Sequence, residues 1–340
     1  MHATWQQHLR NMGARLADGV VQDFGDAAAE LRAAESGTVL CDLSQFGLLT
    51  FAGEDAQAFL HAQFSSDVKK IGLLSAQYSA YCTAKGRLLA NFLLWQSAAG
   101  FFAQMHGSVL ASTHSRLAKF VLRSKVKISD VSENLVCLGL AGAQAETLIQ
   151  KHFGRAPQAS LGVMHEKNST LIRLSKKRFE IIIPYSDAPA IWDALSMNAQ
   201  PAGNVCWDWL NIRAGIPFVS AATQEQFVPQ MANLELIGAV SFDKGCYPGQ
   251  EIVARTQHLG ILKRRMSLAH VDAAPQAGDA LFSKDSGDQA SGMIINAAPA
   301  PEGGYDLLAV MQISSAQNGD ARWKSPAGPA LKLLPMPYSV

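Results

Sequence analysis

"LLTFAGEDAQAFLHAQF", Leu48–Phe64, is the stretch from which the fold can be read. An apolar segment ends in Ala-Gly, and a segment with apolar residues at helical spacing begins at once. The pattern predicts a strand, a tight turn and a helix. The same order returns in "LVCLGLAGAQAETLIQKHF", Leu135–Phe153, again with Ala-Gly at the join. The segments after the two copies are also alike. After the first, "QYSAYCTAKGRLLANFLLW" reads as two strands broken at "AKGR", followed by the strand "FFAQM" and a helix over about Gly107–Ser124. After the second, "STLIRLSKKRFEIIIP" supplies a hairpin and "DAPAIWDALSM" a helix. The repeat predicts two related α+β units, each a sheet with helices on one face.

Outside the repeat, Thr4–Leu16 reads as a helix, and Thr38–Gly53 has the composition of a strand pair. From near Leu262 the pattern changes to short alternating segments, "RRMSLAHVD", "GYDLLAVMQI" and "ALKLLPM" among them, separated by Gly, Pro, Asp and Ser. That is the signature of a small antiparallel barrel. A chain of 340 residues is too long for one ordinary core. The expected division is a first α+β unit over 1–130, a second over 131–255 and a barrel over 256–340.

Composition excludes several classes. With 48% hydrophobic and 17% charged residues, the chain is globular rather than disordered. A net charge of +1 argues against a general nucleic-acid coat or a polybasic anchor. No apolar run reaches the length of a membrane span, and the polar N-terminus lacks the core of a signal peptide. A cytoplasmic protein is expected. The five cysteines are scattered without C-x-x-C spacing, so neither a disulfide framework nor a metal site is expected. Cys41, Cys82, Cys137 and Cys206 lie beside apolar residues and read as buried. No phosphate loop and no nucleophile elbow occur.

One segment fits neither a core strand nor an ordinary helix: "KGCYPGQEIVAR", Lys244–Arg255. It sits just before the barrel, at a junction of the kind that often forms a ligand cleft. Gly245 and Gly249 permit close backbone approach, and Pro248 stiffens the turn. Cys246 would project from a rigid loop, with Lys244 and Arg255 as positive neighbours that favour thiolate. Gln250 and Glu251 would cap the next segment or touch a ligand. Upstream, Trp207 and Trp209 read equally as core or as a flat wall for a heteroaromatic ligand. The amides of "FVPQMANLE" suit the edge of a polar ring.

Five motifs carry a family resemblance: "QFSSDV" (Gln63–Val68), "CTAKGRLLANF" (Cys82–Phe92), "NIRAGIP" (Asn211–Pro217), "FVPQMANLE" (Phe227–Glu235) and "FDKGCYPGQEIVAR" (Phe242–Arg255). The sequence resembles the YgfZ-type folate-binding proteins, described as tRNA-modifying or iron–sulfur cluster assembly factors. These are relatives of the glycine-cleavage aminomethyltransferase, the T-protein. The last motif is the most specific, because it separates this group from true T-proteins. The resemblance implies an α+β cloverleaf of three domains around a tetrahydrofolate site. It implies folate contacts at Trp207 and at Phe46, where the family often carries Trp. Gln230 and Asn233 in the amide-rich loop complete the expected cofactor set. The catalytic set it implies is Cys246 with Lys244, Tyr247, Gln250, Glu251 and Arg255. Where T-proteins carry a pair of Asp, one essential to aminomethyl chemistry, this chain has Ala90 and Asn91. Neither is a general acid or base.

Three functions stand as expectations. The first is a folate-binding accessory factor for iron–sulfur cluster assembly or repair, with iron–sulfur client enzymes, tRNA-methylthiolating ones among them, or assembly proteins as partners. The second is a tetrahydrofolate-dependent one-carbon transferase, in which Asp67 or Glu251 replaces the missing carboxylate. The third is an RNA-binding module using Lys119, Arg123, Lys125 and Lys127, or Lys263, Arg264 and Arg265. Solvated faces explain both basic clusters more simply, and no direct nucleic-acid contact is expected. A monomer without membrane contact is expected.

Overall fold

The computed structural model describes residues 1–258, 260 and 262–340. The chain opens with α1 (Ala3–Asn11), the ribbon β1 (Arg15–Ala17) and β2 (Val20–Asp23), and α2 (Ala27–Ser36). The first copy of the repeat runs β3 (Thr38–Asp42), β4 (Phe46–Ala52), α3 (Ala56–Gln63), β5 (Ala76–Cys82), β6 (Leu88–Ser97), β7 (Gly100–His106) and α4 (Gly107–Val121). The second runs β8 (Lys127–Asp130), β9 (Leu135–Gly142), α5 (Ala145–Phe153), β10 (Gly162–Glu166), β11 (Ser169–Ser175), β12 (Arg178–Pro184), α6 (Ala188–Ser196) and β13 (Gln200–Ala202). Then α7 (Asn204–Arg213), a long loop and α8 (Gln250–His258) lead to β14 (Arg264–Val271), β15 (Ala280–Phe282), β16 (Gly292–Pro299) and β17 (Tyr305–Gln312). The chain closes with α9 (Ile313–Asn318), β18 (Arg322–Trp323) and β19 (Lys332–Leu334).

The repeat read in the sequence is present in the sheets. One has the order β5-β6-β7-β4-β8 and the other β10-β11-β12-β9-β3-β13. Each copy's first strand after the lead-in ends at a glycine of φ +128°, Gly53 just after β4 and Gly142 as the last residue of β9. A Cβ on Gly53 would strike the Lys125 carbonyl, and one on Gly142 the Gly37 carbonyl. Both carbonyls belong to the residues that enter a lead-in strand. The Ala-Gly of the sequence is therefore a tight backbone crossing, which no side chain could occupy.

The lead-in strands are exchanged. β3 precedes β4 in the chain but pairs antiparallel with β9, Leu40 opposite Leu140. β8 precedes β9 but pairs antiparallel with β4, Thr50 opposite Ser129. The strand pair expected within Thr38–Gly53 thus does not form, because the two strands lie in different sheets. Period and composition specify a strand but not its neighbour. We keep 1–130, 131–255 and 256–340 as a proposed division of the chain, with β3 of the first segment pairing in the sheet of the second and α8 spanning the second boundary. The helix expected over Thr4–Leu16 ends at Asn11. Gly13 takes φ +93°, and Leu16 falls in β1.

Strand alternation sorts side chains between two faces. Along β12, Phe179, Ile181 and Ile183 join the core under α1, α5 and α6, while Ile182 faces a central core. Along β7, Phe101, Ala103 and Met105 join the core under α3 and α4, while Phe102 faces the same central core. The central core also takes Met266, Leu268, Ile295 and Val310 from the C-terminal strands. Those strands form a six-stranded antiparallel half-barrel, β18-β15-β16-β17-β14-β19, with its own second core. Three sheets therefore meet face inward. Among the described residues no helix is long and apolar enough to cross a membrane.

The loop between α7 and α8 ties the first sheet to the half-barrel. Buried Asn91 of β6 donates to the Pro217 carbonyl at 2.7 Å and accepts from Val219 N–H at 2.8 Å. Asn296 of β16 does the same to both ends of Phe218, at 3.0 and 2.9 Å. Ser65 Oγ donates to the Ala239 carbonyl at 2.7 Å. Gly249, at φ +82°, lies against the turn between β5 and β6, where a Cβ would stand 2.6 Å from Gly86 Cα.

Two substitutions test these ties. Asn91→Asp removes the donor facing Pro217 and buries a charge, and should cost about 3 kcal/mol at neutral pH. The loss should shrink in acid, where the carboxyl regains a proton to donate; thermal melts at two pH values read it. Gly249→Ala should lower stability by about 1–3 kcal/mol, from the left-handed backbone and the closed space. A melting temperature equal to wild type would contradict the assigned packing.

Candidate functional site

The inward faces of the two related sheets carry polar residues where an apolar seam is expected. Glu180 is two residues from Ile182 on β12 and faces the same way. It is 2% exposed, and its Oε2 has no hydrogen-bond partner. Burial, opposed by Arg178, pushes its carboxyl up to about 7. Gln104 on β7 is close enough to favour the charged form, yet neither end of its amide makes a hydrogen bond of good geometry. Arg178 donates to the Asn211 side chain and to the Leu210 carbonyl, and its guanidinium lies 4.7 Å from the centre of the Trp207 ring. Its Nε, Trp207 Nε1 and Asn211 Nδ2 are buried and unpartnered.

Such atoms are rare in folded proteins, because each costs about 1–3 kcal/mol if left unmet. Here several gather on one seam. They offer donors and acceptors to a polar molecule, beside the ring of Trp207.

A cleft of about 380 Å³ opens where the first sheet, α7, the long loop and the half-barrel meet, lined among others by Phe46, Asp208, Asn211, Phe218, Ser220 and Asn296. Phe46 and Phe218 pack ring to ring at 4.7 Å. Burial pushes the Asp208 carboxyl up to about 6, against long hydrogen bonds from Gln45 at 3.3 Å and Asn204 at 3.4 Å. Asn211 lines this cleft and holds Arg178 of the seam, so one side chain touches both.

The residues expected at the ligand fall into two groups. Phe46 lies on the cleft wall. Trp207 does not: it is fully buried, flat against Gly139, where a Cβ would stand 2.6 Å from its ring, with Arg178 over the ring. The helix turns about 100° per residue, so its neighbour Asp208 faces the cleft instead. Gln230 and Asn233 are engaged elsewhere. Gln230 donates to the Val253 carbonyl at 2.7 Å. Asn233 donates to the Met266 carbonyl at 3.1 Å and accepts from Arg265 at 2.9 Å. Both stitch the long loop to α8 and β14, and neither lines the cleft.

The glycine-rich junction separates one thiol from the rest. Cys246 is exposed, whereas Cys41, Cys82, Cys137 and Cys206 are buried. Lys244 is not turned to solvent as a thiol activator. Its ammonium binds the carbonyls of His61 and Phe64 at the end of α3 and lies 5.1 Å from the centre of the Tyr247 ring. Burial lowers it to about 8. Tyr247 is buried with an unpartnered hydroxyl. Gln250 donates to the Lys244 carbonyl at 3.3 Å, which closes the loop on itself. Glu251 and Arg255 pair at 3.3 Å on the exposed face of α8.

Sequence reasoning did not single out Glu180, Gln104, Arg178 or Asp208. One signal was available: a glutamate flanked by Phe179 and Ile181 in "RFEIIIP" is a charge inside an otherwise apolar strand. Gln104 within "FFAQM" is a weaker case of the same kind.

Comparison with known proteins agrees with this architecture. The GCVT N-terminal domain family matches residues 19–244. The chain is 32% identical, over 88% of its length and 93% of the relative's, to the tRNA-modifying protein YgfZ of Klebsiella pneumoniae strain 342. It is 31% identical to the YgfZ of Yersinia pestis strain Pestoides F, over 92% of this chain and 97% of the relative. The glycine cleavage system aminomethyltransferase T of Bartonella henselae shares its fold, with a TM-score of 0.82 over 98% of this chain and 96% of that one, at 17% identity. With the two exchanged α+β sheets, the half-barrel and the glycine-rich cysteine loop in place, the chain belongs to the YgfZ family and has the aminomethyltransferase fold.

Proposed function

We propose that this protein is a folate-binding accessory factor for the assembly or repair of iron–sulfur clusters. It would act as a cytoplasmic monomer and support iron–sulfur enzymes, including those that methylthiolate tRNA. The observation that carries this reading is the unmet hydrogen-bonding capacity of Glu180 and Gln104 on the buried seam. The amino-pyrimidinone edge of a pterin presents adjacent N–H donors and a carbonyl. A carboxylate beside a carboxamide matches that edge. Glu180, Gln104 and Arg178 would hold the ring, and Phe46, Asp208 and Asn211 would flank the rest of the molecule. Tetrahydrofolate, when bound, supplies a reduced pterin able to carry one-carbon units.

The transferase alternative has less support. Ala90 is buried in the core under α3 and α4. Asn91 spends both ends of its amide on the Pro217–Val219 backbone. That pairing needs a donor and an acceptor on one side chain, so a carboxylate there would disrupt the loop. Asp67 and Glu251 are engaged with His61 and Arg255. For direct RNA binding, two of the basic residues are already paired, Lys125 with Glu54 at 2.7 Å and Arg265 with Glu235 at 2.8 Å.

Calorimetry with tetrahydrofolate tests the ligand. The N–H donors need Glu180 ionised, and without ligand its carboxyl sits near 7. Affinity should therefore fall as the pH drops below about 7, by up to about tenfold per unit. Glu180→Gln should bind more weakly with a flatter pH profile. The same raised carboxyl makes the ligand-free protein lose stability as pH rises from 4.5 to about 7, because the folded state keeps a proton that the unfolded state has released. Above that window the Glu180 contribution is constant, and Glu180→Gln should remove it. Absence of binding to the wild type at any pH would end the folate reading. The cluster role is read separately, in a strain lacking this protein. There Cys246→Ala should leave methylthiolated tRNA and iron–sulfur enzyme activity low, and full restoration would remove the thiol from the function.

A further inference from the structure

The turn between β5 and β6, the long loop and the half-barrel meet at a second cleft, of about 290 Å³. It shares no lining residue with the cleft of Phe46 and Asp208. Phe227, Met293 and Val310 form its floor. Phe227 and Val310 belong to the central core and Met293 packs against it, so the floor is the place where that core reaches the cleft.

Three exposed cations line the same cleft: Arg87 from the turn, and Lys263 and Arg264 from the entry to β14. The backbone sets their places. Arg264 alternates with Met266 and Leu268 on β14, and both of those lie in the central core, so Arg264 stands at the solvent end of an inward-facing row. The Lys263 carbonyl accepts from Ile313 N–H at 3.0 Å, which fixes the chain just before the strand. Arg87 donates to the Gln226 carbonyl at 2.8 Å, and Arg264 to the Ala290 carbonyl at 3.4 Å. These ties hold the two guanidiniums at the rim and leave further N–H groups on each for a ligand. Among the described residues no carboxylate lines the cleft. Arg265, the next residue in the chain, is by contrast paired with Glu235 at 2.8 Å.

Three like charges around a small space repel one another, and an anion between them removes that repulsion. The apolar floor adds a second requirement, for a ligand with a charged head and an apolar end. A carboxylate offers two oxygens and satisfies one guanidinium fork. A terminal phosphate offers three oxygens and close to two charges, which matches two guanidiniums and an ammonium more fully. The volume is at the lower end for small-molecule sites, so the occupant is one small molecule rather than a chain segment.

We propose that this cleft binds an organic phosphate, with the phosphate held by Arg87, Lys263 and Arg264 and an apolar group resting on Phe227, Met293 and Val310. The site binds and carries out no covalent step. It is separate from the folate reading and does not depend on it.

The test is calorimetry on the full-length protein with ADP as the probe, beside pyrophosphate and adenosine as its two halves and tri-glutamate as a carboxylate polyanion. ADP should bind more tightly than either half, because it meets both the rim and the floor. Arg87→Ala and Arg264→Ala should each weaken ADP about tenfold, the loss expected when a charge-assisted hydrogen bond is removed. Arg87→Lys keeps the charge without the fork and should fall between Arg87→Ala and the wild type. Affinity should drop as salt rises. Lys332→Ala, an exposed lysine on β19, should change nothing, which separates this cleft from the basic surface in general. Melting temperatures check that the arginine variants fold. Should one of them melt early, Lys263→Glu reverses a charge on an exposed side chain and should abolish ADP binding with the melt unchanged. No ADP binding at millimolar concentration, or equal affinity in Arg87→Ala and Arg264→Ala, would overturn the proposal. So would tri-glutamate binding more tightly than ADP, which would make the site one for carboxylates, or a single-stranded oligonucleotide binding where ADP does not.

Discussion

The exchange of lead-in strands between the two α+β sheets is the constraint on which the rest of the structure depends. β3 leaves its own copy of the repeat to pair with β9, and β8 leaves the other to pair with β4. Each sheet is incomplete without the other copy's strand. The crossing is possible because Gly53 and Gly142 let a strand end pass directly over an incoming backbone. Two sheets tied in this way hold a fixed relative orientation, and their inward faces form a permanent seam. Independent units joined by a linker would hinge instead.

A fixed seam can keep polar groups dry. Glu180, Gln104 and Arg178 stay buried because strands on both sides and α7 hold them there, so the cost of their unmet hydrogen bonds is borne by the exchanged sheets. The raised carboxyl of Glu180 follows from that burial. Burial acts similarly on Asp208 in the adjoining cleft. A ligand that supplies donors to these carboxylates gains more here than it would in water, where the same groups are already satisfied.

The long loop between α7 and α8 plays the complementary part. It has little regular structure, so its backbone groups are met by side chains from the elements around it: Asn91 from the first sheet, Asn296 from the half-barrel and Ser65 beside α3. This is why the amide-rich motifs turn out to be mostly structural. Gln230 and Asn233 are polar because a loop crossing a protein interior must be hydrogen-bonded, and a similar need accounts for Asn91 in place of a reactive carboxylate. Amide residues in a loop carry the same signature whether they read a ligand or a neighbouring backbone. The cysteine loop differs in that its thiol is left exposed while Lys244, Tyr247 and Gln250 hold the loop from beneath.

The sequence by itself determined the elements and their repetition. Periodicity is a local property, and Ala-Gly followed by an amphipathic helix is legible wherever it occurs. It also determined which loop carries the unusual thiol, because glycine, proline and cysteine have backbone and chemical properties independent of context. Only the tertiary structure decided which strand pairs with which, that Trp207 turns into the core while Asp208 faces the cleft, and that Glu180 is buried without a full set of partners. It alone brought Arg87 together with Lys263 and Arg264, far later in the chain, around one cleft. Pairing, facing and burial depend on contacts between residues far apart in the chain, and a strand's period of two is the same whichever partner or ligand its inward face meets.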